Sequence, residues 1–270
     1  MYGMKASSRR NRIRYLVVTG ALSVVLFGVV FLLGQVKAPR TVQMIAQCLS
    51  AWGPTFAVLV LFRQLYPGQR LGEFLKSNFS VRINPLTFVL LLCLQVGIFA
   101  FAVATYLWTS EKGLHSLALV SLSEAMLLLI TQLLSGAMGE EMGWRSYLLR
   151  DFEKRHSLFV SALLVGIVWG FWHLPIWFTL GYTGNDLVRY IVFFLVEIIS
   201  ISVIMAVFYR KQENLLIPIW IHFLINFLVG LVKVDLLNLM GWMALGYTLL
   251  AIVLIVVEHK SVFESNSISI

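Results

Sequence analysis

The chain has 270 residues, of which 59% are hydrophobic and only 13% are charged. Soluble domains are roughly 45–50% apolar and about 25% charged, so this composition excludes an ordinary soluble protein. The net charge of +8 does not indicate nucleic-acid binding, because the cytoplasmic loops of membrane proteins are rich in Lys and Arg. We therefore expect one integral membrane domain over residues 1–270, with the lipid bilayer and no nucleic acid among its partners.

Continuous apolar runs recur along the chain, each close to the roughly 20 residues that a helix needs to cross a bilayer. Barrel strands would alternate apolar and polar residues, and these runs do not. The predicted fold class is therefore all-α, a polytopic transmembrane helical bundle with about eight spans. The predicted spans are residues 15–34, 42–62, 85–108, 120–149, 161–180, 187–209, 213–231 and 236–257.

The distribution of basic residues predicts the orientation. With a cytoplasmic N-terminus, 16 of the 21 Lys and Arg residues fall on the cytoplasmic side and 5 on the other. This excess predicts that both termini are cytoplasmic. No small-x-small cleavage site follows the first run, so we expect an uncleaved first span rather than a signal peptide. The plasma membrane is the expected location.

Three polar clusters interrupt the apolar runs, and each lies in or beside a predicted span. An ionisable group in hydrocarbon is costly, so such groups are functional-site hypotheses by default. Helix rise places Glu140, His173 and His222 about 15, 18 and 14 Å from the cytoplasmic ends of their helices. This common depth predicts one shared cavity that is open to the cytoplasm. The clusters are Glu140-Glu141-Met142-Gly143-Trp144-Arg145, Trp169-Gly170-Phe171-Trp172-His173 and His222-Phe223-Leu224-Ile225-Asn226.

Spacing within the first cluster suggests two roles for its carboxylates. Glu141 and Arg145 are four residues apart, so they share a helix face and can form an ion pair. Glu140 is rotated by about 100° from that face, which leaves it as the free carboxylate and a candidate base for a water molecule. Trp144, four residues after Glu140, is expected to form part of the wall that shields it.

Two chemical roles are open for the imidazoles. His222 and Asn226 also share a face, so they could together donate to a developing oxyanion. Alternatively, His173 and His222 could join Glu140 in a three-ligand catalytic site for one divalent metal, such as zinc, with one open position.

Other polar and aromatic residues have simpler interpretations. Glu124 and Glu197 also fall in predicted spans, but neither has a motif partner, so we expect structural hydrogen bonding or an interfacial position. The aromatic residues near His173 are expected to serve packing. No Gly-x-Ser-x-Gly motif is present, which argues against a serine hydrolase.

The motifs Glu-Glu-x-x-x-Arg, aromatic-x-x-x-His and His-x-x-x-Asn, in this order on three spans, resemble the CPBP (ABI) family of intramembrane proteases. That family includes the type II CAAX prenyl endopeptidases and bacterial relatives linked to bacteriocin processing and immunity. The resemblance covers a motif-bearing core of about residues 120–230. The second motif usually begins with Phe, and here Trp169 stands in that position.

The resemblance implies an intramembrane endopeptidase that acts on a prenylated CAAX-type or leader peptide. Glu140 would activate water, His173 and His222 would complete the site, and Asn226 would help to bind the oxyanion. Glu141 and Arg145 would support the first motif.

Two alternatives come from other functional classes. A non-catalytic membrane scaffold or immunity protein could retain the motifs for structure. A proton-coupled transporter is disfavoured, because the two halves of the chain show no convincing internal repeat.

Overall fold

The computed structural model describes residues 2–263, and almost all of this part is helical. The predicted polytopic helical bundle is therefore confirmed as the fold class. Met1 and residues 264–270 lie outside the described residues, so the predicted cytoplasmic termini stay a prediction. Strand pairing in the described part is limited to Ala118–Leu119 (β1) and Val232–Lys233 (β2), which run antiparallel.

The helices follow one another with short connections. The first half of the chain contains α1 (Tyr2–Gln35), α2 (Arg40–Ser50), α3 (Gly53–Val60), α4 (Phe62–Leu65), α5 (Leu71–Phe79), α6 (Pro85–Thr109) and a single 3₁₀ turn at Leu114–Ser116. The segment that carries the first motif contains α7 (Leu122–Gln132), a π-helical stretch (Leu133–Ala137), α8 (Met138–Glu141), a second π-helical stretch (Met142–Leu149) and α9 (Arg150–Glu153). The remainder contains α10 (Leu158–Trp172), α11 (Leu174–Trp177), α12 (Gly184–Gln212), α13 (Leu216–Gly230), α14 (Leu236–Val257) and α15 (His259–Phe263).

All eight predicted apolar runs coincide with helices, but their lengths differ. Within the described residues, five helices are long and apolar enough to cross a membrane, which makes the chain an integral membrane protein. The pair α2 and α3, bent by 57°, makes a sixth if it counts as one span. The apolar helices α10 and α13 have only 15 residues each. The predicted number of eight crossings therefore stays a prediction.

The segment from Leu122 to Glu153 continues past Glu140 as predicted, but it is not a regular α-helix. Ser135 has non-helical backbone angles, with φ −84° and ψ −113°, inside the first π-helical stretch. Such a break frees backbone groups that hydrocarbon cannot solvate. The indole Nε1 of Trp52 donates to the carbonyl of Leu134 at 2.8 Å, which satisfies one of them. The α2–α3 bend thus supports the break that precedes the first motif.

Ion pairs at one end of the bundle join three segments that were predicted to be cytoplasmic. Asp151 contacts Arg12 at 3.0 Å and Lys154 at 3.3 Å, and Arg210 pairs with Glu153. The described ends of these segments therefore lie on the same side, as the count of basic residues requires.

Glu124 takes part in structural hydrogen bonding, as predicted. Its carboxylate accepts from the backbone N–H of Ser121 at 2.7 Å in a capping box at the start of α7. It also lies 3.3 Å from the ammonium of Lys233 on β2. Glu124 therefore belongs to the framework of the fold.

A close approach of three helices depends on Gly143. A Cβ atom at this position would lie 2.5 Å from Cβ of Pro54 and 2.7 Å from its carbonyl carbon, and it would also meet the hydroxyl of Tyr15. Because Pro54 has a rigid backbone, α3 cannot yield easily. Gly143 thus allows the second π-helical stretch to contact α1 and α3 directly.

We expect Gly143→Ala to destabilise the protein by about 1–3 kcal/mol, because overpacking forces backbone shifts. Thermal unfolding in detergent, followed by tryptophan fluorescence, measures the change. The matched control is Gly97→Ala on the exposed side of α6, where no atom lies within 4 Å of an added Cβ. Equal melting temperatures for the two variants would show that the close approach is unimportant.

Candidate functional site

One cavity of about 870 Å³ brings the three polar clusters together. Glu140 reaches it from α8, His173 from the end of α10, and His222 and Asn226 from α13. Most of its wall is apolar and comes from helices α1, α12, α13 and α14. The apolar lining includes Phe27, Val30, Phe31, Phe194, Ile198, Ile201, Ile225, Val229, Leu236 and Met240.

Glu140 is 3% exposed and is held by two indoles. Its Oε2 accepts a hydrogen bond from Nε1 of Trp144 at 3.2 Å and another from Nε1 of Trp169 at 2.5 Å. The prediction that Glu140 is a free carboxylate is therefore wrong for one of its oxygens. Trp144 reaches it because the two residues are four apart on one helix, whereas Trp169 comes from α10.

Glu141 lies between a histidine and an arginine. Its Oε1 accepts from Nδ1 of His222 at 2.7 Å, and its Oε2 lies 3.3 Å from Nη1 of Arg145. The predicted Glu141–Arg145 ion pair is therefore present. The guanidinium carbon of Arg145 also lies 4.4 Å from the ring centre of Trp169, in a cation–π contact. The first motif thus supports both His222 and Trp169.

His173 occupies the residue immediately after α10. Its Nδ1 is 2.8 Å from the carbonyl oxygen of Trp169, and its ring lies edge-on to Trp172 and Phe194 at 4.8 and 5.1 Å. A carbonyl oxygen only accepts, so Nδ1 carries the hydrogen. A neutral His173 therefore has Nε2 as its acceptor nitrogen. The predicted fifth span, 161–180, is interrupted at this residue.

Gly136 keeps the space between Glu140 and His222 open. A Cβ atom here would lie 2.9 Å from Oε1 of Glu140 and 3.0 Å from Nε2 of His222. The oxygen of Glu140 that the indoles leave available and the outer nitrogen of His222 therefore approach the same face of Gly136. A base and an imidazole are presented side by side.

The arrangement fits a metal only in part. Nδ1 of His173 donates to a backbone carbonyl, and Nδ1 of His222 donates to a carboxylate. Hydrogen bonds of this kind orient the imidazoles that bind metals in other proteins. However, no three His, Cys, Asp or Glu side chains in residues 9–263 are arranged to hold a metal ion. The three-ligand set of Glu140, His173 and His222 therefore stays a prediction.

Two residues differ from their sequence interpretation. Trp169 was expected to serve packing, yet it donates to Glu140, and a Phe in that position could not. Glu197 was expected to be hydrogen-bonded or interfacial. Instead it lines the cavity, is 7% exposed, and has no hydrogen-bond or ion-pair partner among the described residues. The indole N–H was the available signal for Trp169, whereas nothing in the local sequence distinguishes Glu197.

We expect Glu141→Gln to lower the stability by about 3–5 kcal/mol, because Arg145 would remain fully buried without its counter-ion. Thermal unfolding in detergent measures the loss. Asp186→Asn is the matched control, since Asp186 and Arg189 form an ion pair in which both side chains are about half exposed. The control should cost less than about 1 kcal/mol. A loss of similar size in both variants would contradict the prediction.

Comparisons with known proteins agree with the predicted family resemblance. Residues 122–228 match the family model described as type II CAAX prenyl endopeptidase Rce1-like. A stretch of 104 residues is 32% identical to the protein named CAAX prenyl protease 2 from Methanococcus maripaludis. That alignment covers 35% of this chain and 36% of the relative, so the chain spans little more than a third of the relative's length. The predicted resemblance to the CPBP family is therefore confirmed over this segment, which holds all three motifs around the cavity.

Proposed function

We propose that the protein is an intramembrane endopeptidase that hydrolyses a peptide bond of a membrane-associated substrate within the cavity. One observation carries this proposal. Two indoles orient the buried carboxylate of Glu140 through its Oε2. Its Oε1 and the Nε2 of His222 approach the same open face of Gly136. Orienting a base in this way is what general-base hydrolysis requires. The match to the CAAX prenyl endopeptidase family supports the same reaction class.

In the proposed reaction, Glu140 takes a proton from water, and the water oxygen attacks the carbonyl carbon of the scissile bond. Neutral His173 presents the acceptor Nε2 and helps to orient that water. The tetrahedral intermediate carries its negative charge on the former carbonyl oxygen. Its collapse breaks the C–N bond, and Glu140 returns the proton to the departing amine.

His222 and Asn226 stabilise the oxyanion in this proposal. Because a carboxylate only accepts, His222 donates from Nδ1 to Glu141. With a second hydrogen on Nε2, His222 also donates into the cavity. The side-chain amide of Asn226 lines the same cavity one helical turn away and supplies a second donor.

The apolar wall indicates the substrate class. A long hydrocarbon group gains about 0.8 kcal/mol for each CH₂ that it buries, so an apolar cavity of this size favours a lipidated peptide. We propose a prenylated CAAX-type protein as the substrate, consistent with the name of the aligned relative. An apolar leader peptide is the alternative. The count of basic residues favours a cavity that opens to the cytoplasm. We propose the plasma membrane as the location.

We expect Glu140→Gln to reduce cleavage of an S-farnesylated reporter peptide by about 10²- to 10⁴-fold, because the general base is lost. Purified protein in lipid vesicles and mass spectrometry of the products provide the measurement. A parallel reaction with an unlipidated apolar leader peptide distinguishes the two substrate classes.

Glu73→Gln is the control for this test, because Glu73 is an exposed carboxylate on α5, away from the cavity. Undiminished cleavage by a folded Glu140→Gln protein would sink the assignment and favour a scaffold or immunity role. Metal analysis of the purified protein belongs with the experiment. A stoichiometric metal whose removal abolishes cleavage would support the three-ligand alternative over the glutamate mechanism.

We expect Trp169→Phe to lower kcat by roughly tenfold while the protein remains folded. The ring packing is largely kept, but a charge-assisted hydrogen bond to Glu140, worth about 1.5–3 kcal/mol, is lost. Trp177→Phe is the matched control, since this buried indole nitrogen has no partner among the described residues. Equal rates for wild type and Trp169→Phe would show that the indole does not orient the base.

A further inference from the structure

We propose that Glu197 is a specificity-determining residue that binds a cationic side chain of the substrate, a Lys or an Arg, inside the cavity. The inference rests on the proposed function, because it assigns a second contact to the same substrate. Glu197 takes no part in the hydrolytic steps described above and belongs to none of the three motifs.

The position of Glu197 on α12 places it beside the catalytic groups. It follows Phe194 by three residues, so the two lie on neighbouring parts of one helix face. The ring of Phe194 lies 5.1 Å from that of His173, and both residues line the cavity together with Glu197. A ligand that contacts His173 is therefore within reach of Glu197 through the same cavity.

The carboxyl group lacks a partner within the described protein. Glu197 is 93% buried, yet residues 9–263 supply it with no hydrogen bond and no ion pair. Its titratable neighbours are the phenols of Tyr190 and Tyr247. The hydroxyl of Tyr247 already donates to Oε1 of Gln95 at 2.5 Å. Buried polar groups are normally satisfied, so an unmatched carboxyl facing a cavity indicates a donor that arrives with the ligand.

The charge of the cavity indicates which donor this is. Two carboxyl groups, Glu140 and Glu197, line it, whereas no Lys or Arg of the described chain does. Arg145 lies against Trp169 of the cavity wall, but it is fully buried and paired with Glu141. A substrate ammonium or guanidinium would form an ion pair with the carboxyl group of Glu197, while an acidic group would be repelled.

Paired peptides test this inference through binding. S-farnesylated peptides carry Lys, norleucine or Gln at one position, and that position is scanned along the segment next to the lipidated cysteine. Norleucine keeps the apolar stem of Lys without its ammonium, and Gln offers an uncharged donor. Fluorescence anisotropy measures affinity in the Glu140→Gln background, with and without Glu197→Gln, so that turnover does not interfere.

We expect one position at which the Lys peptide binds roughly tenfold or more tightly than the norleucine peptide, and Glu197→Gln should bring this ratio close to one. Glu73→Gln should leave the ratio unchanged. A Lys preference that persists in Glu197→Gln, equal affinity for the Gln and Lys peptides, or no preference at any position would overturn the inference.

If Glu197→Gln fails to fold, the protein with Glu197 intact still tests the proposal. Equal affinities of that protein for the Lys and norleucine peptides would overturn it. Because binding is read without cleavage, a protein that binds the Lys peptide selectively but hydrolyses nothing refutes the proposed function and leaves the role of Glu197 supported.

Discussion

The buried carboxylate of Glu141 is the interaction on which the rest of the site depends. It neutralises Arg145 through one oxygen and accepts from His222 through the other, so helix α8 is tied to α13. Arg145 in turn lies over Trp169 of α10 and contacts the sulfur of Met205 on α12. In a low-dielectric interior each of these charges alone would be expensive, whereas together they hold four segments in one arrangement.

The groups of the proposed hydrolytic site take their positions from this arrangement. Trp169 can donate to Glu140 because the cation–π contact with Arg145 holds its ring, and the backbone carbonyl of Trp169 then orients His173. In the proposed mechanism the adjacent glutamates therefore have separate roles, with Glu141 structural and Glu140 chemical. A single carboxylate could not both neutralise Arg145 and serve as a base in the cavity.

The parts of the site that could be predicted from the sequence follow from helix periodicity. The pairing of Glu141 with Arg145 and the approach of Trp144 to Glu140 are both contacts between residues four apart. The contact of Trp169 with Glu140 spans two helices and depends on their crossing, which periodicity does not specify. The surroundings of Glu197 could not be predicted for the same reason. Only the assembled bundle shows that its face of α12 borders the cavity and not a hydrogen-bonding neighbour.

The fold could likewise be predicted from the sequence only in part. Apolar runs predict where helices form, because hydrocarbon admits little else. They do not predict where a helix breaks. The break at Ser135 is accompanied by a tertiary contact, the indole of Trp52 on the carbonyl of Leu134. The end of α10 at His173 likewise precedes a proline, Pro175, which lies inside a predicted apolar run.

Counted as membrane crossings, as the sequence predicts, α10 and α13 would be shorter than the hydrocarbon layer is thick. Fifteen residues form a helix of about 22 Å, against a hydrocarbon layer of about 30 Å. Such a hydrophobic mismatch is relieved when the bilayer thins locally, or when polar residues and water reach in at the ends of the helix. Both responses shorten the path from bulk solvent to His173 and His222. A hydrolase embedded in lipid needs such a path, because water is its second substrate.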